Sequence, residues 1–334
     1  MLNGFYTIDF HVHIQDQDTQ NKLCPDDRKS LFFQHAVPIL ERVANYSEPI
    51  HDEFVKYVAL NLRDPISRYV YNKAGQLGLM ETLRLFKVYD INRLLFKMNK
   101  LNIDHAVIHS LEPLTSTQNL LDLTLPYADK ISVFASVDRN NENPIGYLTD
   151  LLNTGRIKGF KIHPQVGGYA CGELYHSVKE IAQLAKQNNL PMMFHTGHIP
   201  SDDLSDIHGC SEVEAIEPLI VDFPSVNFVL AHIGWESWRH VLNLAKKYPN
   251  VYVETSWQPA NVIRRACDLL GANRVIFGSD FPLLKQEVSL KQVQKALSTK
   301  ELAYVLSANS RKLLNLEPVD RSKNSNLTNV INFS

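Results

Sequence analysis

The sequence predicts an α/β protein, a (β/α)8 TIM barrel with a mostly helical insertion after strand 1. Two observations predict it: short apolar runs rich in Val, Ile and Phe recur along the chain, and longer amphipathic stretches separate them. Nearly continuous apolar runs are typical of parallel strands buried on both faces, and alternating strands and helices indicate a parallel sheet. The predicted strands are residues 5–10, 105–110, 131–136, 157–163, 191–195, 226–232, 250–255 and 274–279.

The stretches between the later strands have helical periodicity, with apolar residues at three- and four-residue spacing. An open doubly wound sheet is the structural alternative, but no predicted strand is followed by a GxGxxG turn. Eight strands in this order favour the closed barrel. The clearest predicted helices are residues 173–189, 212–223, 238–248 and 260–271.

Two regions fall outside this repeat. Residues of about 15–90 show helical periodicity with polar interruptions and no clear strand, so we interpret them as the insertion, a candidate lid or oligomer contact. The tail 317–334 is polar and rich in Asn and Ser, and we expect it to be poorly ordered. Residues 1–316 are therefore predicted to form a single barrel domain.

Composition narrows the classes of function. The chain has 334 residues, 44% of them hydrophobic, and a net charge of -2, so it has no basic field that would attract nucleic acid or a membrane surface. Its four cysteines are far apart and form no CxxC pair, which fits a reducing compartment. No signal peptide and no membrane-length apolar run is recognisable. We expect a cytoplasmic protein that acts on a small-molecule substrate; a homodimer stays open.

Polar residues end every predicted strand, and in a (β/α)8 barrel the chemistry lies at the C-terminal strand ends. His11 and His13 are two positions apart, so they face the same side and could grip a metal ion together. That spacing alone leaves a surface loop or hydrogen-bonded core histidines open. The strand-end residues are His11, His13, His109, Asp138, Lys161, His163, His195, His232, Glu254 and Asp280.

The later strand ends each have a structural alternative. His195 and His232 each end an apolar run, and a buried histidine bonded to a backbone carbonyl explains either one taken alone. Asp280 follows a strand, Gly and Ser; it is either a helix N-cap or a carboxylate in the barrel mouth. Lys161 could bind a substrate carboxylate, pair with an acid or bridge two metals as a carbamate. His163 could face the substrate or be structural.

The order of these motifs resembles the amidohydrolase superfamily. HxH at strand one, "GFKIHP" at strand four, "FHTG" at strand five, "LAHIG" at strand six and "IFGSDFP" at strand eight look most like its amidohydrolase-related branch (amidohydrolase family 2), which includes aminocarboxymuconate semialdehyde decarboxylase. "SANSRKLLNL" is similar to the closing helix of that branch. The resemblance runs from about residue 7 to 316, except for the insertion.

The resemblance implies one divalent metal ion, most often zinc, with manganese and iron as alternatives. Its ligands would be His11, His13, His195 and Asp280. Asp280 would also transfer protons, and His232 would orient or polarise the attacking water or the substrate. This branch more often has a mononuclear site, so we expect no second metal at Lys161. Residues predicted to contact the substrate or support the ligands are Lys161, His163, His198 and Trp257.

These residues leave the bond that is broken open. The first interpretation is a metal-dependent hydrolase of a small amide, lactone or ester. The second is a non-oxidative decarboxylase of an aromatic or muconate-like acid. Some decarboxylase relatives carry Glu in place of the first histidine of the pair, so His11 favours hydrolysis, although other decarboxylases keep both histidines. A third, a ligand-binding barrel without catalysis, is disfavoured by the complete ligand set.

Overall fold

Eight parallel strands lie side by side in sequence order in the computed structural model, which describes residues 4–15, 89–197 and 211–316. Each neighbouring pair is hydrogen-bonded. The eight predicted strands and their order are confirmed, with shorter or shifted ends. The strands are β1 (Ile8–Val12), β2 (His105–His109), β3 (Ile131–Ala135), β4 (Ile157–Ile162), β5 (Met192–Phe194), β6 (Phe228–Leu230), β7 (Val251–Glu254) and β8 (Val275–Ile276).

Backbone hydrogen bonds between β1 and the segment that follows β8 close the barrel. The N–H of Phe10 donates to the carbonyl of Phe277 at 3.0 Å, and the N–H of Asp280 donates to the carbonyl of His11 at 2.7 Å. An open doubly wound sheet would leave both edge strands unpaired, so the closed alternative is the correct one.

Helices separate the strands and cover the outside of the barrel. The four clearest predicted helices are confirmed as α4 to α7. A π-helical turn, Tyr304–Ala308, joins the last two helices. The helices are α1 (Ile91–Leu101), α2 (Thr117–Thr124), α3 (Pro144–Asn153), α4 (Leu174–Gln187), α5 (Val213–Asp222), α6 (Trp238–Lys247), α7 (Ala260–Leu270), α8 (Gln286–Ala296), α9 (Thr299–Ala303) and α10 (Asn309–Leu314).

Two apolar clusters divide the core. The larger lies between the strands and the surrounding helices. The smaller fills the barrel interior, where Leu313 and Leu314 of α10 join side chains from the strands. Its strand members are Ile8, Phe10, Val107, Phe134, Met193, Val229, Tyr252 and Ile276.

An irregularity in β1 decides which of its side chains enter the interior. The register with β2 shifts between Asp9 and Val12, as in a β-bulge. Ile8 and Phe10 belong to the inner cluster, whereas Val12 belongs to the outer one. Regular alternation would keep these three on one face. The bulge instead lets His11 follow Phe10 into the barrel.

Several predicted features lie outside the described residues. The insertion falls there except for its first and last positions, as do the tail 317–334 and His198. The insertion, the tail and the single-domain division therefore stay predictions. Among the described helices, none is long and apolar enough to cross a membrane.

Candidate metal centre

His11 and His13 turn their Nε2 atoms toward each other at the end of β1, 3.1 Å apart. The Nδ1 atom of His13 lies 3.1 Å from the carbonyl oxygen of His109, which can only accept, so this nitrogen carries the proton. The Nδ1 atom of His11 lies 2.9 Å from Oε2 of Glu254. If that carboxylate accepts, both Nε2 atoms of the neutral rings present lone pairs.

Asp280 completes a triangle with the two rings. Its Oδ1 lies 3.5 Å from Nε2 of His11 and 3.4 Å from Nε2 of His13. Its Oδ2 accepts a hydrogen bond of 2.7 Å from the indole N–H of Trp257. The next helix, α8, begins six residues later and is capped by Lys285, so the N-cap alternative for Asp280 is wrong.

This triangle fits a divalent cation. Three acceptors that face one another inside a protein are unfavourable unless a cation or donor lies between them. Tetrahedral coordination with bonds of about 2.0–2.1 Å places ligand atoms about 3.3–3.4 Å apart, close to the observed 3.1, 3.4 and 3.5 Å. The buried Nε2 of His195 has no hydrogen-bond partner among the described residues and is free to bind an ion.

His195, which follows β5, and His232, which follows β6, extend the cluster. The Nδ1 of His195 lies 3.2 Å from Nε2 of His232, whose ring centre is 5.0 Å from that of His11. One ligand atom each from His11, His232 and Asp280 lie within 4.8 Å of one another. His232 has a φ of 58° in a left-handed turn that continues through Gly234, and its side chain is buried.

Burial keeps the rings neutral. Burial, followed by the positive charge of Lys161, lowers the pKa of His13 and of His195 to about 3. Burial is also the main cause that lowers the pKa values of His11 and His232. Neutral imidazole is the form that binds metal ions.

Lys161 is the cation nearest to the triangle. Its Nζ lies 3.1 Å from Nε2 of His11, and its side chain is fully buried. Burial lowers its pKa to about 8, which the charges of Asp280 and Glu254 oppose. Lys161 therefore contacts one expected metal ligand directly, and pairing with an acid is not its closest contact.

Glu254 is the residue whose place in the site the sequence left unassigned. It is 0% exposed, and its Oε2 lies 2.9 Å from His11 Nδ1, 2.7 Å from the Ser256 hydroxyl and 3.2 Å from the His232 N–H. Burial raises its pKa to about 8, against the lowering effect of the hydrogen bonds from Ser256 and His232. The available signal was the "ETS" motif, which places Glu and Ser at alternate positions after a buried strand.

Asp9 is a second buried carboxylate without a role predicted from the sequence. Its Oδ2 accepts hydrogen bonds from the Ser279 hydroxyl at 2.6 Å and from Gln286 at 2.7 Å. Burial raises its pKa to about 6. Because Ser279 precedes Asp280, Asp9 fixes the loop that carries the expected ligand.

Of the remaining predicted residues, His163 and Trp257 contact residues of the cluster and Asp138 does not. His163 stacks on His195 with ring centres 4.1 Å apart and planes inclined by 8°. Trp257 meets Trp235 edge to face at 5.6 Å. Asp138 instead accepts the N–H of Asn140 in a turn and does not join the cluster.

Comparisons with known proteins identify a family for most of the chain. A family model described as "Amidohydrolase" matches residues 84–316 of the chain. No curated protein sequence matches it.

Solved structures share the fold at low identity. An uncharacterised TIM-barrel protein, Bb4693 of Bordetella bronchiseptica, has a TM-score of 0.63 and 16% identity, covering 92% of this chain and 98% of its own. The 5-carboxyvanillate decarboxylase LigW2 of Novosphingobium aromaticivorans, solved with manganese, has a TM-score of 0.60 and 13% identity over 94% and 98% of the two chains. A candidate 2-pyrone-4,6-dicarboxylic acid hydrolase of Pseudomonas putida has a TM-score of 0.57 and 15% identity over 94% and 99%.

Proposed function

The chain belongs to the amidohydrolase family, and on that premise we propose that it is a metal-dependent hydrolase of a small amide, lactone or ester. The observation that carries the proposal is the triangle of acceptors formed by His11, His13 and Asp280. A set of imidazole nitrogens and one carboxylate at the C-terminal end of a barrel is the kind of site that activates water in hydrolytic enzymes.

His11, His13, His195 and Asp280 would hold one divalent ion, with zinc as the first choice and manganese or iron as alternatives. When bound, the ion supplies Lewis acidity, which lowers the pKa of water toward about 7 and polarises a carbonyl group. The ammonium group of Lys161 beside His11 disfavours a second cation.

Asp280 is the proposed proton carrier. Burial raises its pKa to about 7, against the lowering effect of the Trp257 hydrogen bond and of Lys161. A carboxylate beside the activated water can take its proton and return it to a leaving group. Trp257 fixes Oδ2, so Oδ1 is the oxygen that faces the histidines. His232 would orient the attacking water.

We also propose how the substrate is held. Lys161 and His163 would contact a small molecule that enters at the C-terminal strand ends, and Trp235 and Trp257 would form an apolar wall together with buried Leu284. We likewise propose that the protein binds a small molecule, is located in the cytoplasm and forms a homodimer.

Metal analysis tests the site first. Protein purified without chelator should carry about one divalent ion per chain, and His11→Ala with His13→Ala should remove it. His240→Ala is the matched control because His240 is 64% exposed and pairs with Glu214 on the surface. Unchanged metal content in the double variant would contradict the assignment.

Asp280→Asn tests the chemistry. The amide cannot accept the proton, so we expect activity to fall by about 10²–10⁴-fold while the fold persists. A fully active variant would exclude the proton-transfer role.

A decarboxylase is the second candidate, favoured by the fold similarity to 5-carboxyvanillate decarboxylase. A single substrate panel, followed for both CO2 release and acid release, distinguishes the two. CO2 from an aromatic or muconate-like acid, without hydrolysis of lactones or amides, would overturn the first proposal. A zinc-loaded protein inactive on both sets would support the non-catalytic alternative.

A further inference from the structure

We propose that Glu254 sets the proton positions on His11, His232 and His195, in part through Ser256, so that the ring nitrogens available to the metal ion carry lone pairs. Glu254 would touch neither metal nor substrate and acts as a positioning residue. The consequence for metal affinity rests on the proposed function, whereas the proton positions do not.

Four hydrogen-bonding groups contact the Glu254 carboxylate, which can accept a hydrogen bond from each of them. Two backbone N–H groups, which can only donate, point at its carboxylate: that of Ser256 at Oε1 and that of His232 at Oε2, 3.2 Å away. The ring of His11 and the hydroxyl of Ser256 contact Oε2 as well. In its ionised form the carboxylate has no hydrogen to give. The His11 Nδ1 and the Ser256 Oγ must therefore be the donors.

The Ser256 hydroxyl determines which nitrogen of His232 carries the proton. It has one hydrogen, which it gives to Oε2 of Glu254 at 2.7 Å. Its contact of 2.7 Å with Nδ1 of His232 must then be one in which the hydroxyl accepts and the ring donates. The neutral ring of His232 consequently has its lone pair on Nε2.

The next contact fixes His195. Its Nδ1 lies 3.2 Å from Nε2 of His232, and because the latter accepts, the former donates. The lone pair of neutral His195 is then on Nε2, the buried nitrogen that has no partner among the described residues. Two paths from Glu254 thus end in lone pairs, on Nε2 of His11 and on Nε2 of His195.

A neutral amide in place of the carboxylate removes this constraint. The NH2 group of a glutamine can donate to Ser256 or to His11. The order of donors can then reverse, which moves the protons to the Nε2 atoms of His11 and His195 and blocks metal binding there. Groups that orient metal-binding histidines typically change metal affinity by about 10–100-fold when they are substituted.

Glu254→Gln and Ser256→Ala test the proposal with two measurements. Competition with a chelator gives the zinc Kd, and nitrogen-15 NMR of labelled histidines in the metal-free protein gives the protonated nitrogen of each ring. Ser132→Ala is the matched control, because Ser132 makes a buried serine–histidine contact of 2.8 Å with His105 outside the centre. Ser256→Ala also covers the case in which Glu254→Gln fails to fold.

We expect about 10–100-fold weaker zinc binding for Glu254→Gln, a smaller loss for Ser256→Ala and no change for Ser132→Ala. In the metal-free wild type at pH 9, where Glu254 is ionised, His11, His195 and His232 should carry their protons on Nδ1. A proton on Nε2 of any of these rings, or wild-type zinc affinity in both site variants, would overturn the proposal. A wild type that binds no zinc but has these proton positions would contradict the proposed function and support this inference.

Discussion

Gly278 lies directly against Glu254: a Cβ atom on Gly278 would be 2.5 Å from Oε1 of Glu254 and 2.8 Å from Cβ of His11. Non-bonded heavy atoms do not approach so closely. Only glycine leaves room at this position for the carboxylate at the end of β7 to reach His11 on β1.

Gly278→Ala should therefore displace Glu254 or His11. Overpacking a buried site typically costs about 1–3 kcal/mol, and we expect zinc affinity to fall with the displacement. Urea unfolding and zinc titration measure the two effects. Gly172→Ala is the control, because a Cβ there meets nothing within 4 Å. Equal stability and zinc affinity in the two variants would contradict the packing argument.

Lys161→Met should tighten zinc binding. Nζ of Lys161 donates to the nitrogen that His11 would use for the metal, and its charge repels a dication. Unit charges 4 Å apart interact by about 4 kcal/mol at an effective dielectric of 20, so a gain of about tenfold or more is expected. Lys158→Met on the same strand, at a half-buried position, is the control. Loss of zinc from Lys161→Met would instead show that the lysine helps to hold the metal.

Zinc should stabilise the native protein. A ligand that binds only the folded state adds about 2.7 kcal/mol to the free energy of unfolding at a concentration of 100 times its Kd. The wild type should show this gain in thermal unfolding, and His13→Asn should lose it. The idea fails if excess zinc leaves the wild-type Tm unchanged.

His105, outside the centre, should make stability depend on pH. Burial lowers its pKa from 6.5 to about 4, so between these values the unfolded chain binds more protons than the folded one. The free energy of unfolding should fall as the pH drops through this window, by up to about 1.4 kcal/mol per pH unit from this residue.

Urea unfolding at pH 7, 6 and 5 measures that slope. His105→Asn should flatten it, whereas Ser132→Ala keeps the imidazole and should keep the slope. An unchanged slope in His105→Asn would show that burial of this ring has no such effect.

The barrel could be predicted from the sequence because parallel strands buried on both faces leave an apolar signature that needs no knowledge of neighbours. The pairing of His11 with His13 followed from spacing, and Asp280 from its place after the last strand. Glu254 was visible as a strand end, but its contacts span 243 positions to His11 and depend on the space at Gly278. Such relationships exist only after the barrel has closed.

The stacking of His163 on His195 could not be predicted from the sequence for the same reason. It depends on how two adjacent strand ends turn away from the sheet, which local pattern does not specify. The interior position of His11 was also hidden, because regular alternation along β1 would have placed Phe10 and His11 on opposite faces.

That extra residue in β1 has a practical consequence for anyone who would transplant this cluster into another barrel. Copying His-x-His onto a regular strand would carry the imidazoles to the face opposite Phe10, among the outer helices. A successful graft has to import the backbone defect between Asp9 and Val12 along with the side chains. Transfer of this site therefore requires the backbone shape of β1 as well as the His-x-His motif.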